Sequence, residues 1–110
     1  MKQSLNTPLV LYEIVYERNE HGDQIPRLEI LRDQIFGTRQ DLSSRESFEA
    51  QKLKYADPRK YALLLDPLVV QGTVIQDEDD YFIVESRERS TTTMVVITQR
   101  TSLNFENNLS

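Results

Sequence analysis

The segments YFIVES (residues 81–86) and TTTMVVITQ (residues 91–99) carry strong β-strand signals in this chain of 110 residues. Both are rich in the β-branched and aromatic residues that are typical of strands. The acidic stretch 77–80 separates the first segment from the apolar run before it and most simply turns a hairpin, and we expect residues 87–90 to turn the last hairpin. The second half of the chain is therefore predicted to form antiparallel strands.

Two segments just upstream have the same character. KYALLLD (residues 60–66) places Tyr61, Leu63 and Leu65 on one face of an extended chain. VVQGTVIQ (residues 69–76) is rich in valine and isoleucine. We predict that both are extended.

The first half of the chain begins with LVLYEIVYE (residues 9–17), which alternates with a period of two. Residues 18–23 contain Asn, Gly and Asp, which tolerate turn geometry and predict a hairpin loop. The return segment 27–39 loses its alternation near Arg32–Asp33. This slip predicts one long, bent strand with a bulge. One side of the first strand is entirely apolar and consists of Val10, Tyr12, Ile14 and Tyr16.

Between these halves lies an insertion, residues 41–58, with helical character. Ser43 and Glu46 have the spacing of a capping box, and residues 47–56 are rich in helix formers. We expect Asp57–Pro58 to end the helix, because the residue before a proline avoids helical angles.

The apolar residues of the insertion do not form one wide stripe. Phe48 and Tyr55 fall on one side of the helix, whereas Ala50 and Leu53 fall nearly opposite. A helix that lies on its own sheet would show one broad apolar face. Thin patches on two sides are typical of contact with two neighbours or of partial disorder, and a fraying surface helix is the alternative interpretation.

Together these segments predict an all-β, mainly antiparallel fold: a small β-barrel or sandwich of about six strands with one short helix or loop insertion. The single helix excludes a βαβ pattern, which needs several. We predict a flexible N-terminal arm at residues 1–8, one β domain at 9–100 with the insertion at 41–58, and a flexible C-terminal tail at 101–110.

Composition narrows the function classes. The chain has no cysteine, and thirteen basic against eighteen acidic residues give a net charge of −5 with no Lys/Arg block. This balance disfavours tight nucleic-acid binding. No stretch approaches the ~20 consecutive apolar residues of a membrane span, so we expect a soluble, cytoplasmic protein without a membrane partner.

Catalytic and metal-binding patterns are absent from the sequence. His21 is the only histidine, and the acidic run 77–80 lacks the ligand spacing of a calcium loop. There is no nucleophile elbow and no phosphate-binding motif. We predict no enzyme activity, no metal, no cofactor and no small-molecule ligand. The cluster of Lys52, Lys54, Arg59 and Lys60 is interpreted as solvated charge, with weak phosphate contact as the alternative.

The order of elements resembles that of the head completion (stopper) proteins of long-tailed bacteriophages, also called head-tail joining or head-tail adaptor proteins. The resemblance covers about residues 9–100. It rests on a strand and Gly-containing hairpin, the Phe36–Gly37 strand end, a Glu- and Gln-rich insertion, an extended segment, and a late hairpin: residues 12–22, 36–37, 46–51, 61–65 and 74–84.

The resemblance implies a structural virion protein of the head-tail connector. Such proteins form a ring, commonly of twelve copies, below the portal and adaptor proteins; they retain packaged DNA and present the tail attachment interface. It implies a location in the virion neck, and in the host cytoplasm during assembly, with only weak channel contact to double-stranded DNA. The insertion would line the channel or contact sister subunits through Asp41, Ser44, Glu46, Phe48, Gln51, Leu53, Lys54 and Tyr55.

Two alternatives remain open from the sequence. The first is a tail-terminator or another small phage or prophage interaction module, which would form its ring on the tail. The second is a host-directed binding protein, which would stay monomeric and bind one cellular protein.

Overall fold

The computed structural model describes residues 7–101 and contains six strands and one helix. The fold class predicted from the sequence is confirmed. In chain order the elements are β1 (Thr7–Arg18), β2 (Gln24–Gln40), α1 (Ser44–Lys52), β3 (Arg59–Leu64), β4 (Val74–Asp77), β5 (Asp80–Arg89) and β6 (Thr93–Arg100).

The six strands close into an antiparallel barrel in the order β1-β2-β3-β6-β5-β4. The last strand in this order, β4, pairs with β1, and Leu11 lies opposite Ile75. Closure distinguishes the barrel from the sandwich that the sequence left open. It also places β1 and β6 on opposite walls, because three steps separate them in either direction around the barrel.

Alternate residues of every strand point into the barrel and fill it. The packed set combines leucine, valine and larger side chains, with Leu68 and Val69 closing it from the loop after β3. A fully buried threonine, Thr98, has its hydroxyl satisfied by donating to the backbone oxygen of Arg59 at 3.1 Å. The main buried cluster is Leu9, Leu11, Tyr61, Leu63, Val69, Ile75, Val84, Met94 and Val96.

The predicted bulge in the long second strand is confirmed. Leu9 pairs with Ile35, Leu11 with Arg32, and Tyr12 with Ile30. Over this interval β2 therefore uses two more residues than β1, which bends the strand near Arg32–Asp33.

Gly37 allows β2 and β3 to approach closely. A Cβ atom at this position would overlap the side chain of Leu63 and come within 2.9 Å of the backbone oxygen of Ala62. The structure shows that Gly37 is required for packing against β3.

Beyond the barrel, β1 and β2 continue as a two-stranded hairpin, which we call the hairpin arm (residues 13–29). In the described part of the chain, β4 pairs with β1 only at Val10–Tyr12 and β3 pairs with β2 only at 37–40. Residues 13–18 and 24–29 thus pair only with each other. The predicted loop at its tip is confirmed: a turn spans Asn19 to Asp23, with Gly22 at a φ of +83°.

Two boundaries in the second half of the chain differ from the expectations. Residues 69–73 form turns and not a strand, since the amide of Val69 donates to the Asp66 oxygen and that of Thr73 to the Val70 oxygen. Val69 is nevertheless buried in the core. Residues 87–89 continue β5, since Arg87 still pairs with Val96, and the last turn lies at 90–92.

The remaining boundaries concern the two ends of the chain. β1 begins at Thr7, so it includes the last two residues of the predicted arm 1–8. Residues 1–6 of that arm and 102–110 of the predicted tail lie outside the described residues. Among the residues that are described, no helix has the length and apolar character needed to cross a membrane.

Candidate functional site: the insertion and the barrel wall

The N-terminus of α1 is held by the predicted capping box. The Ser43 hydroxyl accepts a hydrogen bond from the Glu46 amide at 3.1 Å, and the Ser43 amide donates to Oε1 of Glu46 at 2.8 Å. The same Oε1 accepts a hydrogen bond from Nζ of Lys60 on β3 at 3.0 Å. Glu46 therefore both caps the helix and ties it to the barrel.

The charge of Glu46 is stabilised by these contacts. The backbone N–H of Ser43 is the largest influence, and with Lys60 and the Ser43 hydroxyl it lowers the pKa of the Glu46 carboxyl, against a smaller opposing effect of burial. The ionised form is consequently the one that the folded protein favours.

The helix ends earlier than the sequence indicated, at Lys52 instead of Ala56. The amide of Lys54 donates to the Gln51 oxygen at 3.1 Å and that of Tyr55 to the Ala50 oxygen at 3.0 Å. This is a Schellman motif, in which Lys54 occupies the left-handed position at a φ of +58°. The prediction that Asp57–Pro58 ends the helix was wrong, because this motif stops it first.

One side of α1 packs on the outer wall of the barrel formed by β5 and β6. Ala50 is buried there, and a cleft of about 340 Å³ separates the rest of the helix from Val95 and Ile97. Tyr55 lines the same cleft, where burial, followed by the Glu85 charge, raises its pKa. The insertion is thus in contact with its own barrel through a narrow strip.

The other side of α1 is open to solvent. Phe48 on this side is 61% exposed, whereas Leu53 lines the cleft beside the barrel and is still 59% exposed. Nζ of Lys52 lies 5.7 Å from the centroid of the Phe48 ring. Of the two predicted apolar patches, Ala50 and Leu53 both face the barrel wall, whereas Phe48 lies on the uncovered side and its predicted neighbour Tyr55 lines the cleft.

The eight predicted contact residues lie along this one element without converging on a single point. Asp41, Ser44 and Gln51 are exposed, and Glu46 and Tyr55 are half-buried. Phe48, Leu53 and Lys54 are exposed at the outer side and the end of the helix. Their role in subunit or channel contact stays a prediction.

Sequence reasoning missed a polar cluster at the end of the barrel where β3 begins. The hydroxyl of Tyr61 donates to Oδ2 of Asp77 at 2.7 Å, and Nη1 of Arg59 lies 3.3 Å from the same oxygen. The Arg59 guanidinium also lies over the Phe82 ring, 4.2 Å from its centroid. Burial is the main cause that raises the pKa of Tyr61. No local motif predicts this cluster, because its members lie on three strands.

The predicted basic cluster is largely occupied by internal contacts. Arg59 pairs with Asp77 and Lys60 with Glu46, while Lys52 contacts Phe48. Within residues 7–101, only Lys54 of this group has no such partner. His21 lies exposed in the hairpin turn, and its amide donates to Asn19. No three metal-ligating side chains of the described residues gather in one place.

Sequence comparison identifies no relative: no protein-family model matches the chain, and no curated protein does. Structure comparison does find matches. A chain from the virion of a native gene transfer agent particle superposes with a TM-score of 0.60, over 91% of this chain and 98% of that chain. The two sequences are 11% identical. At this identity the match shows a shared fold.

Proposed function

We propose that the protein is a non-catalytic structural component of a phage-like virion, acting in the head-tail connector as a head completion protein. The observation that carries the proposal is the shared fold with a virion chain, which extends over nearly the full length of both chains. In this function several copies form a ring below the portal and adaptor proteins, help to retain packaged DNA and offer an attachment surface to the tail.

The filled barrel supports a non-catalytic role. Its interior is occupied by apolar side chains and its Arg59 end is closed by the cluster of Tyr61, Asp77 and Arg59. The cleft between α1 and the barrel wall has acidic, basic and apolar side chains mixed along it. Such a surface suits contact with another macromolecule better than enclosure of a substrate.

The charge balance supports a role beside DNA that does not require tight binding. The chain carries a net charge of −5, and two of its four clustered cations, Arg59 and Lys60, are engaged in internal ion pairs. A channel wall that held phosphates tightly would slow the passage of DNA, because each neutralised phosphate adds affinity. In this assembly the exposed polar residues of the insertion, Ser44 and Gln51, are the proposed channel contacts.

Deletion of the gene in a producer of the particles tests the proposal. We expect that particles from the wild type contain the protein. In the deletion strain we expect heads that lose their DNA, together with unattached tails of normal length. Purified protein added to freshly filled heads should restore DNA retention and tail joining, as scored by electron microscopy. Absence of the protein from purified particles, or normal particles in the deletion strain, would overturn the proposal.

The same experiment separates a connector protein from a tail terminator. Loss of a terminator would leave filled, stable heads beside tails of abnormal length. That outcome would place the protein on the tail.

A further inference from the structure

We propose that copies of this chain associate head to tail, with the apolar face of one hairpin arm packing on the exposed face of α1 in the next copy. This inference rests on the proposed function and names the surfaces that would build its ring. The two surfaces are the arm patch, Tyr16 on the hairpin arm with Ile30 at its base, and the helix patch, Phe48 with Arg45 and Lys52 beside it.

The arm patch is the exposed part of one face of the two-stranded sheet, and the half-buried Ile14 between its two members packs on the buried cluster of Tyr12, Leu28 and Val74. Tyr16 is 58% exposed and Ile30 is 53% exposed. At the base of the arm, Leu28 is buried with Tyr12 and Val74, but towards the tip the two strands have only each other. An isolated two-stranded hairpin is at best marginally stable in water. A partner that covers this face would therefore stabilise the arm.

The helix patch is the matching uncovered surface. Phe48 lies on the side of α1 turned away from the barrel wall that buries Ala50, and it is 61% exposed. Arg45 and Lys52 flank Phe48 at helical spacing, three residues before and four residues after it. The patch is thus apolar at its centre and cationic at its rim.

The positions of the two patches favour a head-to-tail contact between copies. The arm extends from β1 and β2, whereas α1 covers β5 and β6, and these pairs form opposite walls of the barrel. Two different, complementary surfaces on opposite sides of one molecule give a heterologous interface, which closes into a ring when the rotation between copies allows it.

The charges of the two surfaces are also complementary. The arm carries five acidic and two basic side chains, and Glu13, Glu20 and Asp23 have no ion-pair partner among residues 7–101. On and beside the helix patch, Arg45, Lys52 and Lys54 likewise lack an acidic partner within that range. Attraction between these groups would orient the arm on the next copy.

Cross-linking tests the contact directly, because the natural chain has no cysteine. Arg18→Cys marks the arm and Gln51→Cys marks the helix, and both positions are exposed and leave the two patches intact. With a short bis-maleimide, we expect dimers when the two single variants are mixed, none from either variant alone, and a ladder of oligomers from the double variant.

Each outcome decides the inference. Dimers formed by Arg18→Cys alone or by Gln51→Cys alone would show a symmetric contact and overturn it. Rings seen by electron microscopy without any Arg18–Gln51 cross-link would also overturn it while leaving the proposed function standing. Absence of all self-association, on filled heads as well as in solution, would remove both.

Charge reversal provides a second measurement. Lys52→Glu with Lys54→Glu should lower the cross-linking yield by about tenfold at low salt, because two attractions become repulsions. Glu20→Lys with Asp23→Lys on the partner copy should restore the yield. An unchanged yield, or a loss that the partner's reversal does not repair, would contradict the pairing of these surfaces.

Discussion

Tyr61 on β3 and Asp77 on β4 are joined by a 2.7 Å hydrogen bond although their strands are not neighbours in the barrel. The bond therefore crosses the interior and links two walls. The Arg59 guanidinium forms an ion pair with the same carboxylate oxygen and stacks on the Phe82 ring. This cluster closes one end of the barrel with polar groups that satisfy one another.

Removing the Tyr61 hydroxyl should destabilise the protein. In Tyr61→Phe the largely covered Asp77 carboxylate, whose side chain is 11% exposed, loses a hydrogen-bond donor, which costs about 1–3 kcal/mol in the free energy of unfolding. Urea denaturation followed by circular dichroism measures the change. Tyr16→Phe is the matched control, since the Tyr16 side chain is exposed, and equal losses in the two variants would contradict the importance of the cluster.

Adding a methyl group at Gly37 should also destabilise the barrel. Gly37→Ala places a Cβ against Leu63 and the Ala62 backbone oxygen, and overpacking of this kind costs about 1–3 kcal/mol. Gln34→Ala on the same strand is exposed and should change the unfolding free energy by less than about 0.5 kcal/mol. Chemical denaturation of both variants would test this, and an equally stable Gly37→Ala protein would rule out the close approach.

Glycine should have opposite effects at two neighbouring lysines. Lys54→Gly relieves a left-handed backbone at the end of α1 and should stabilise the protein by about 1 kcal/mol. Lys52→Gly lies in the last turn of the helix and should destabilise it by about 0.5–1 kcal/mol. Thermal unfolding of both variants gives the two signs, and a loss of stability in Lys54→Gly would contradict the capping geometry.

Acid should weaken the attachment of α1 through Glu46. The folded state lowers the pKa of this carboxyl below its unfolded value of about 4.3. The charge of Glu46 therefore stabilises the folded protein at pH values above the unfolded pKa, and this stabilisation is lost as the pH falls through the lower pKa of the folded state. In Glu46→Gln the amide oxygen still accepts from Ser43, but the charge facing Lys60 is absent.

The size of the Glu46 effect follows from its exposure. Its side chain is 32% exposed, so the difference between wild type and Glu46→Gln should stay below about 1 kcal/mol at neutral pH. Denaturant midpoints measured between neutral and acidic pH should converge as the carboxyl is protonated. A difference that stays constant with pH would show that the charge of Glu46 does not contribute.

Local signals predicted those parts of the fold that depend on neighbouring residues. The spacing of Ser43 and Glu46 predicted the capping box, the acidic run predicted the turn between β4 and β5, and the slip near Arg32–Asp33 predicted the bulge. Each of these features is determined within a few residues, so the chain carries its signature directly.

Features that depend on residues far apart in the sequence were not predicted. The contact between Tyr61 and Asp77 exists only because the barrel closes, and the burial of Val69 in a loop depends on the open end of the core beside it. The early stop of α1 uses a lysine where glycine is the usual signal. The apolar alternation of β1 predicted a strand, but not that half of it would extend beyond the barrel.

The two additional residues in β2 have a consequence for how this sequence can change. Side chains alternate between the two faces of a strand, and an even number of added residues leaves that alternation intact, so that Leu28 and Ile30 stay on the outer face with Ile14 and Tyr12. Deleting Gln34 alone would exchange the two faces of β2 in the hairpin arm, so that Arg27 and Glu29 would point to the side on which Leu28 and Ile30 now lie. Insertions and deletions here are therefore expected to be tolerated in pairs and rejected singly.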